Sequence, residues 1–344
     1  MTGGPAPAEG IDFDADRLRG FLREAAPALA GPMRVERVGG GQSNPTYFLT
    51  FDNGEAVLRK RPNGELLKSA HDVVREHRIL AALADTAVPV PRPLLCCPDA
   101  AVIGTPFYLM ERLRGRIFHD GGLPAVPAAD RRAYYLAHAR GLAALHKADY
   151  EAAGLGDLAR PGSFLARQVG RWTQAWEGHD REKEAADVGT WLRARLPDHE
   201  QRALVHGDFK FSNLIFAPAE PRIAGVLDWE LAAIGDPLLD VGHFWSAMWA
   251  TTPDEYGGIL GLDLVAEGLP EDEEFIAAYD EAAGTTDGLP VFYRVLGLVR
   301  NAGIFLGIAR RAAAGSAAAA NAEGQAVTGE AYLDRALRLT RENR

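Results

Sequence analysis

Two apolar runs bracketing a short polar loop constrain this chain more than any other stretch. Ala203-Leu204-Val205 leads into His206-Gly207-Asp208, four residues intervene, and Asn213 precedes Leu214-Ile215-Phe216. Apolar runs this short read as buried strands, so the loop is held rigidly at both ends. A second stretch echoes the first: Ile223 to Leu227 reads as a strand, Asp228 sits where it ends, and Trp229-Glu230 and Gly235-Asp236-Pro237 follow. Three oxygen-bearing side chains, Asp208, Asn213 and Asp228, are thereby presented at strand ends.

Phosphoryl transfer needs such a set. A carboxylate orients a hydroxyl and accepts its proton, while an amide and a second carboxylate hold magnesium against nucleotide phosphates. A His-Gly-Asp triplet by itself is more often a turn with an Asx-type hydrogen bond. A His206/Asp208 metal pair lacks the further histidines or cysteines nearby that would complete a transition-metal shell. Taken in order, His206-Gly207-Asp208, Asn213 and Asp228-Trp229 resemble the aminoglycoside phosphotransferase family of small-molecule kinases, which shares the protein-kinase fold. The spacing of Asp208, Lys210 and Asn213 is also similar to the protein-kinase catalytic loop, with Gly207 where those enzymes carry arginine. That arginine commonly answers an activation-loop phosphate, so its absence argues against a phosphorylation-switched protein kinase. The resemblance implies that Asp208 positions and deprotonates an acceptor hydroxyl, that Lys210 neutralises charge on the transferring phosphoryl, and that Asn213 and Asp228 hold magnesium.

Upstream, 14–30 carries a weak helical pattern ending at Gly31-Pro32, and nothing in 1–32 suggests chemistry. From Met33 the pattern is one of short strands, at 33–38, 46–51 and 56–61, with an Asn53-Gly54 hairpin signal between the last two. The run Gly39-Gly40-Gly41-Gln42-Ser43-Asn44 is either a flexible hairpin or, in a nucleotide-binding lobe, a loop whose backbone at Gly41 approaches phosphate oxygens with help from the Ser43 hydroxyl. Strand 56–61 carries Arg59, Lys60 and Arg61, which could be ordinary surface cations. Alternation, however, puts Val57 and Arg59 on one face. Along 71–84, Val73, Glu76, Leu80 and Leu83 share a helical face, so Glu76 points with the apolar residues and must be paired or expelled. The resemblance places the phosphate-gripping cation at Arg59, positioned by Glu76, with Lys60 as the alternative. Residues 105–113 read as the last strand of a small lobe running into a hinge. There the resemblance implies adenine contacts from the backbone of Glu111 and Leu113 with Met110 behind them, whereas the residues alone equally allow a buried strand.

From about residue 114 the pattern is helical, at 129–148, 163–180, 184–195, 237–251, 272–283 and 289–313. His146 lies on an apolar face and reads as a packed core histidine. Asp236 reads as a helix N-cap and Asp240 as a first-turn carboxylate favouring the helix dipole, neither of them catalytic. The acidic run 271–274 is a solvated helix start or a dock for a cationic substrate. All six tryptophans (172, 176, 191, 229, 245, 249) are expected in this larger lobe, and 314–327 reads as a loose loop before a last helix at 329–341. Gly154-Leu155-Gly156-Asp157, Arg160-Pro161-Gly162 and Gln168 to Trp172 resemble the branch of the family found beside, or fused to, acyl-CoA dehydrogenases. That branch implies a hydroxy acid or hydroxyacyl-CoA as acceptor, ahead of an aminoglycoside or amino alcohol. A nucleotide-binding pseudoenzyme with a regulatory role is the reading from another class, and retention of all three site oxygens counts against it.

The expectation is therefore an α+β, protein-kinase-like two-lobe fold. It has an N-terminal extension and helix over 1–32, a nucleotide-binding lobe of antiparallel sheet plus helix over 33–113, and a mainly helical catalytic and substrate-binding lobe over 114–344, with ATP and Mg2+ in the cleft. The 344 residues, 47% of them hydrophobic, suffice for this. Adjacent Cys96 and Cys97 cannot build a disulfide framework. The N-terminus lacks a basic, apolar leader, and no run approaches the ~20 apolar residues of a membrane span. Together these fit a cytoplasmic protein. A net charge of −10 disfavours nucleic acid as partner. The partner expected is a small molecule bearing a hydroxyl, with no membrane; the oligomeric state stays open.

Overall fold

The computed structural model describes residues 10–39, 44–63, 72–313 and 322–344. The chain forms two compact units, one of Met1–Arg114 with Gly225–Glu230, the other of Gly115–Ala224 with Leu231–Arg344.

The first unit opens with α1 (Ala15–Ala25), capped by the Asp14 carboxylate, which accepts the amides of Asp16 and Arg17. The helix stops short of the 14–30 pattern because Pro27 cannot continue it. Strands β1 (Arg34–Arg37), β2 (Thr46–Phe51) and β3 (Gly54–Lys60), helix α2 (Val73–Leu83), and strands β4 (Pro93–Cys97) and β5 (Phe107–Met110) follow. The five strands make one antiparallel sheet in the order β1-β2-β3-β5-β4. Leu18 and Leu22 of α1 pack on Leu49, Leu58, Phe107 and Leu109 to form its core.

Pleating sends Arg59 and Lys60 of β3 to opposite faces. Lys60 is fully buried, and its ammonium meets Asp12 at 2.8 Å and Asn63 at 3.1 Å. Asp12 also accepts the Tyr47 hydroxyl at 2.7 Å. The N-terminal extension, in which the sequence showed no chemistry, thus supplies the counter-ion of a lysine with no access to solvent.

The second unit contains α3 (Ala128–His146), α4 (Phe164–Gln174), α5 (Glu182–Arg193), β6 (Ala203–Val205), β7 (Leu214–Phe216), β8 (Ile223–Val226, whose last two residues group with the first unit), β9 (Ala233–Gly235), α6 (Leu238–Met248), the short α7 (Pro253–Tyr256) and α8 (Leu264–Glu267), then α9 (Asp272–Ala283), α10 (Val291–Ala313) and α11 (Ala322–Glu342). β6 and β9 pair antiparallel, Ala203 opposite Gly235 and Val205 opposite Ala233. The helix α11 begins seven residues before the expected 329, which converts 322–328 from loop to helix; residues 314–321 lie outside the described set.

Every residue of α6 is buried, and α10 lies directly against it. Two glycines permit that approach: a Cβ on Gly297 would stand 2.3 Å from the Gly242 carbonyl oxygen, and one on Gly242 would stand 2.4 Å from that of Tyr293. Among the described residues α10 is the one helix long and apolar enough to cross a membrane by length and composition. It is a covered helix, however: most of its apolar stretch is buried, and it carries Arg300 and Asn301 inside the fold.

Gly297→Ala is expected to destabilise the fold by about 3 kcal/mol or more, because neither backbone at the crossing can retreat. Gly307→Ala, whose Cβ would meet only the end of the Arg311 side chain at 3.5 Å, is expected to be neutral or to stabilise by up to about 1 kcal/mol through helix propensity. Chemical denaturation of the two variants side by side checks the contrast.

Candidate active site

The loop after β6 is shaped from below by α6. The amide of His206 donates to Asp240 Oδ2 at 2.7 Å and that of Gly207 to Oδ1 at 2.9 Å, so one buried carboxylate holds two consecutive backbone groups. Burial by itself would raise the Asp240 pKa; a hydrogen bond and charge from His146, then His206 and Arg300, outweigh it and hold the group below the usual carboxylate range. His146 is the core histidine expected, bonded to the Tyr279 hydroxyl at 2.8 Å and to Asp240 at 3.4 Å. Gly207 takes φ 82°, and a Cβ there would press on the Leu231 carbonyl at 2.8 Å, so only glycine fits. Its own carbonyl accepts Nη2 of the buried Arg300.

Asp208 emerges from this grip with its side chain about one-fifth exposed. Lys210 Nζ and Asn213 Nδ2 both donate to its Oδ2 at 3.0 Å, and Asn213 Nδ2 also reaches the Asp208 carbonyl at 2.9 Å. His243 Nε2 stands 3.4 Å from Oδ1. Burial pushes the Asp208 pKa up, but His243 and Lys210 outweigh it and hold the group far below the ordinary carboxylate range. Asp208 is therefore an ionised, acceptor-only group at neutral pH. With its nitrogen committed to Asp208, Asn213 has the amide oxygen to offer a cation.

In the first unit, Arg59 Nε meets Glu76 Oε2 at 2.8 Å and Nη2 meets Asp228 Oδ1 at 2.5 Å. Glu76, 1% exposed, also accepts Asn44 Nδ2 at 2.5 Å and the Tyr108 hydroxyl at 3.2 Å. The paired cation is Arg59, since Lys60 faces away. Glu76, Asp228 and Glu230 bring carboxylate oxygens within 4.8 Å of one another. Asp228 holds φ 67°, a left-handed conformation that a non-glycine residue keeps only where its surroundings impose it. Burial, and then the neighbouring Asp228 and Glu230 charges, push Glu76 up to about 7 against the pull of Arg59. Burial also works against the Arg59 charge, but Glu76, Tyr108, Asp228 and Glu230 more than restore it.

At the expected hinge, Met110 is buried between partners Val57 and Pro93. The Glu111 amide is spent on the Arg92 carbonyl at 2.8 Å and so is not free for a ligand. Leu113 fits because Gly225 has no Cβ, which would lie 2.2 Å from Leu113 Cδ1. Gly41 and Ser43 lie outside the described residues.

The model of the phosphotransferase enzyme family matches residues 34–293. The chain belongs to the phosphotransferase enzyme family. This phosphotransferase is 38% identical over 310 residues to mouse acyl-CoA dehydrogenase family member 11, covering 87% of the chain and 40% of the relative, so it spans about two-fifths of that protein's length. A crystal structure of a putative aminoglycoside phosphotransferase from Ralstonia eutropha superposes with a TM-score of 0.87 at 34% identity, over 96% of this chain and 99% of that one. Choline kinase from Cryptosporidium parvum, at 12% identity, TM-score 0.65 and 96% of both chains, shares the fold. The fold is α+β and protein-kinase-like, and the family is one of phosphotransferase enzymes.

Sequence reasoning missed four contributors to this phosphotransferase's site: Glu230, Asp240, His243 and Arg300. Asp240 was read only as a helix-dipole partner. The available signals were the one-turn spacing of Asp240 and His243 and the intrusion of Arg300-Asn301 into the apolar middle of α10. Trp229 groups with the first unit, leaving five tryptophans in the second. The acidic run at α9 is not simply solvated either: Asp272 accepts Trp245 Nε1 at 2.7 Å and Arg294 at 2.6 Å, and Glu274 pairs with Arg132.

Because the fold favours protonated Glu76, this group stabilises the protein fully below its ordinary pKa of 4.5, and the contribution fades as pH rises through about 7. Glu76→Gln, which fixes the uncharged form, is expected to gain stability relative to the unsubstituted protein between pH 5 and pH 8, by up to about 3 kcal/mol. Unfolding free energies of both proteins across that range provide the check, and parallel pH curves are the opposing outcome.

Proposed function

We propose that this chain transfers the γ-phosphoryl of Mg2+-ATP to the hydroxyl of a small hydroxy acid or a hydroxyacyl-CoA, in the cytoplasm. Asp208 carries the reading: an ionised carboxylate with one oxygen tied to Lys210 and Asn213, set on a loop whose backbone is clamped by Asp240, and exposed enough to meet a substrate. Such a group accepts the hydrogen bond of an acceptor hydroxyl, aims its oxygen, and receives its proton. Its low basicity suits a loose transition state, in which the proton moves late. Lys210, beside the same carboxylate, offsets charge on the transferring group.

The donor set suits the rest of the assignment. Asn213, through its amide oxygen, and Asp228 are hard oxygen ligands of the kind magnesium takes. Magnesium, when bound, neutralises phosphate charge that would repel the acceptor oxygen. Arg59, held charged by Glu76, presents a guanidinium able to engage phosphate with two donors. Gly41 and Ser43 are assigned to the phosphates, and the backbone of Glu111 and Leu113 to the adenine edge.

The acyl-CoA side of the proposal is supported by the 38% identity to a relative named an acyl-CoA dehydrogenase family member and by the 154–172 segment. A second reading, an aminoglycoside or amino-alcohol kinase, draws on the name of the Ralstonia structure.

The full chain is to be assayed with Mg2+-ATP against a panel of hydroxy acids, hydroxyacyl-CoAs, aminoglycosides and amino alcohols, with the phosphorylated product identified by mass spectrometry. Product is expected from the first two classes, with Asp208→Asn lowering the rate by about 10²- to 10⁴-fold and Asp228→Ala raising the magnesium requirement. Product from aminoglycosides alone would replace the acceptor. Nucleotide binding without turnover on any acceptor would replace the enzyme with a regulatory module.

A further inference from the structure

We propose that His243 is a positioning residue for this transfer: its Nε2–H fixes the rotation of the Asp208 carboxylate so that Oδ1 is turned toward the acceptor hydroxyl. The inference rests on the reading of Asp208 as the group that orients the acceptor. Lys210 and Asn213 both act on Oδ2. A carboxylate tied at one oxygen can still pivot about its Cβ–Cγ bond. His243 Nε2 stands 3.4 Å from the other oxygen, Oδ1.

The placement of His243 is itself tightly held. It lies one helical turn beyond Asp240, so a single face of α6 addresses the loop twice, through Asp240 at the backbone and through His243 at the carboxylate. The Ser246 hydroxyl donates to the His243 carbonyl at 2.8 Å, and Asn301 of α10 donates to that hydroxyl at 2.8 Å. His243 is 5% exposed, and its Nδ1 has no hydrogen-bond partner among the described residues. The proton therefore belongs on Nε2, the only ring nitrogen with an acceptor before it. Burial, and then the Arg300 charge, hold the imidazole neutral against the pull of Asp208. His243 is accordingly a neutral donor that supplies direction, and at 3.4 Å it contributes little binding energy of its own.

The test compares His243→Gln, which keeps an N–H donor at similar reach, with His243→Leu, which removes it, in the full chain. kcat and KM are measured for the acceptor found in the panel and for ATP, or phosphate release to water where no acceptor is found, with Asp208→Asn and thermal melting in parallel. His243→Leu is expected to lower kcat by about 10- to 100-fold, as a slightly misaimed group does, with KM for ATP unchanged. His243→Gln is expected to recover most of the loss while both variants melt alike. The proposal is overturned if His243→Leu keeps full kcat while Asp208→Asn is inactive, or if Gln and Leu lose activity equally and in step with melting temperature. Should Asp208→Asn itself remain active, the reading of Asp208 fails, and the positioning role fails with it.

Discussion

A carboxylate without solvent access accepts two consecutive backbone amides at the head of the loop after β6, and the path of that loop depends on the contact. Burying Asp240 would cost several kcal/mol if it were left uncompensated. The His206 and Gly207 amides, the His146 ring and the nearby Arg300 charge remove that cost. In return the loop has one backbone path: Gly207 is forced left-handed against Leu231, and Asp208 can leave in only one direction. The clamp in turn requires α6 to stand at a fixed height. The glycine crossing with α10 sets that height and also delivers Arg300 to the Gly207 carbonyl.

The first unit settles a different electrostatic problem, with one guanidinium bridging two carboxylates. Arg59 serves Glu76 and Asp228 directly, and Glu230 adds a third negative group in the same neighbourhood. Burial, with the neighbouring Asp228 and Glu230 charges, drives Glu76 toward protonation although it touches a guanidinium. Lys60, a single position further along β3, belongs to an unrelated arrangement on the opposite face and is neutralised from the N-terminal extension. Strand alternation alone separates the residue that pairs with Glu76 and Asp228 from one that secures the sheet.

Much of this was legible in the sequence. Loop, strands and helices were marked by short apolar runs, an Asn-Gly turn and helical periodicity, and Glu76 on an apolar face called for a cation that Arg59 provides. The unread parts share a cause. Asp240, His243 and Arg300 act through contacts made far along the chain or at the crossing of two buried helices, and helical spacing says which residues share a face without saying what that face meets. Glu230 is three-dimensional in the same way: next to a tryptophan in sequence, it joins Glu76 only because 225–230 folds with the first unit. The membrane-length helix α10 carries Arg300 and Asn301 in its apolar middle, and both are spent inside the protein.

The donors around Asp208 set a tension that bears on how the site can work. Three side chains meet the carboxylate, and two of them, His243 and Lys210, lower its basicity. A strong base would capture a proton from water or from the acceptor before any phosphoryl group moved; a weak, rigid acceptor of hydrogen bonds cannot. On the proposed reading, catalysis rests on where Oδ1 points and on the charge carried by Lys210, so precision of placement is worth more than proton affinity. This accounts for the investment of buried polar groups beneath the loop: Asp240, His146, Arg300, Ser246 and Asn301 touch no substrate on this reading, yet their linked hydrogen bonds brace the loop and the His243 backbone.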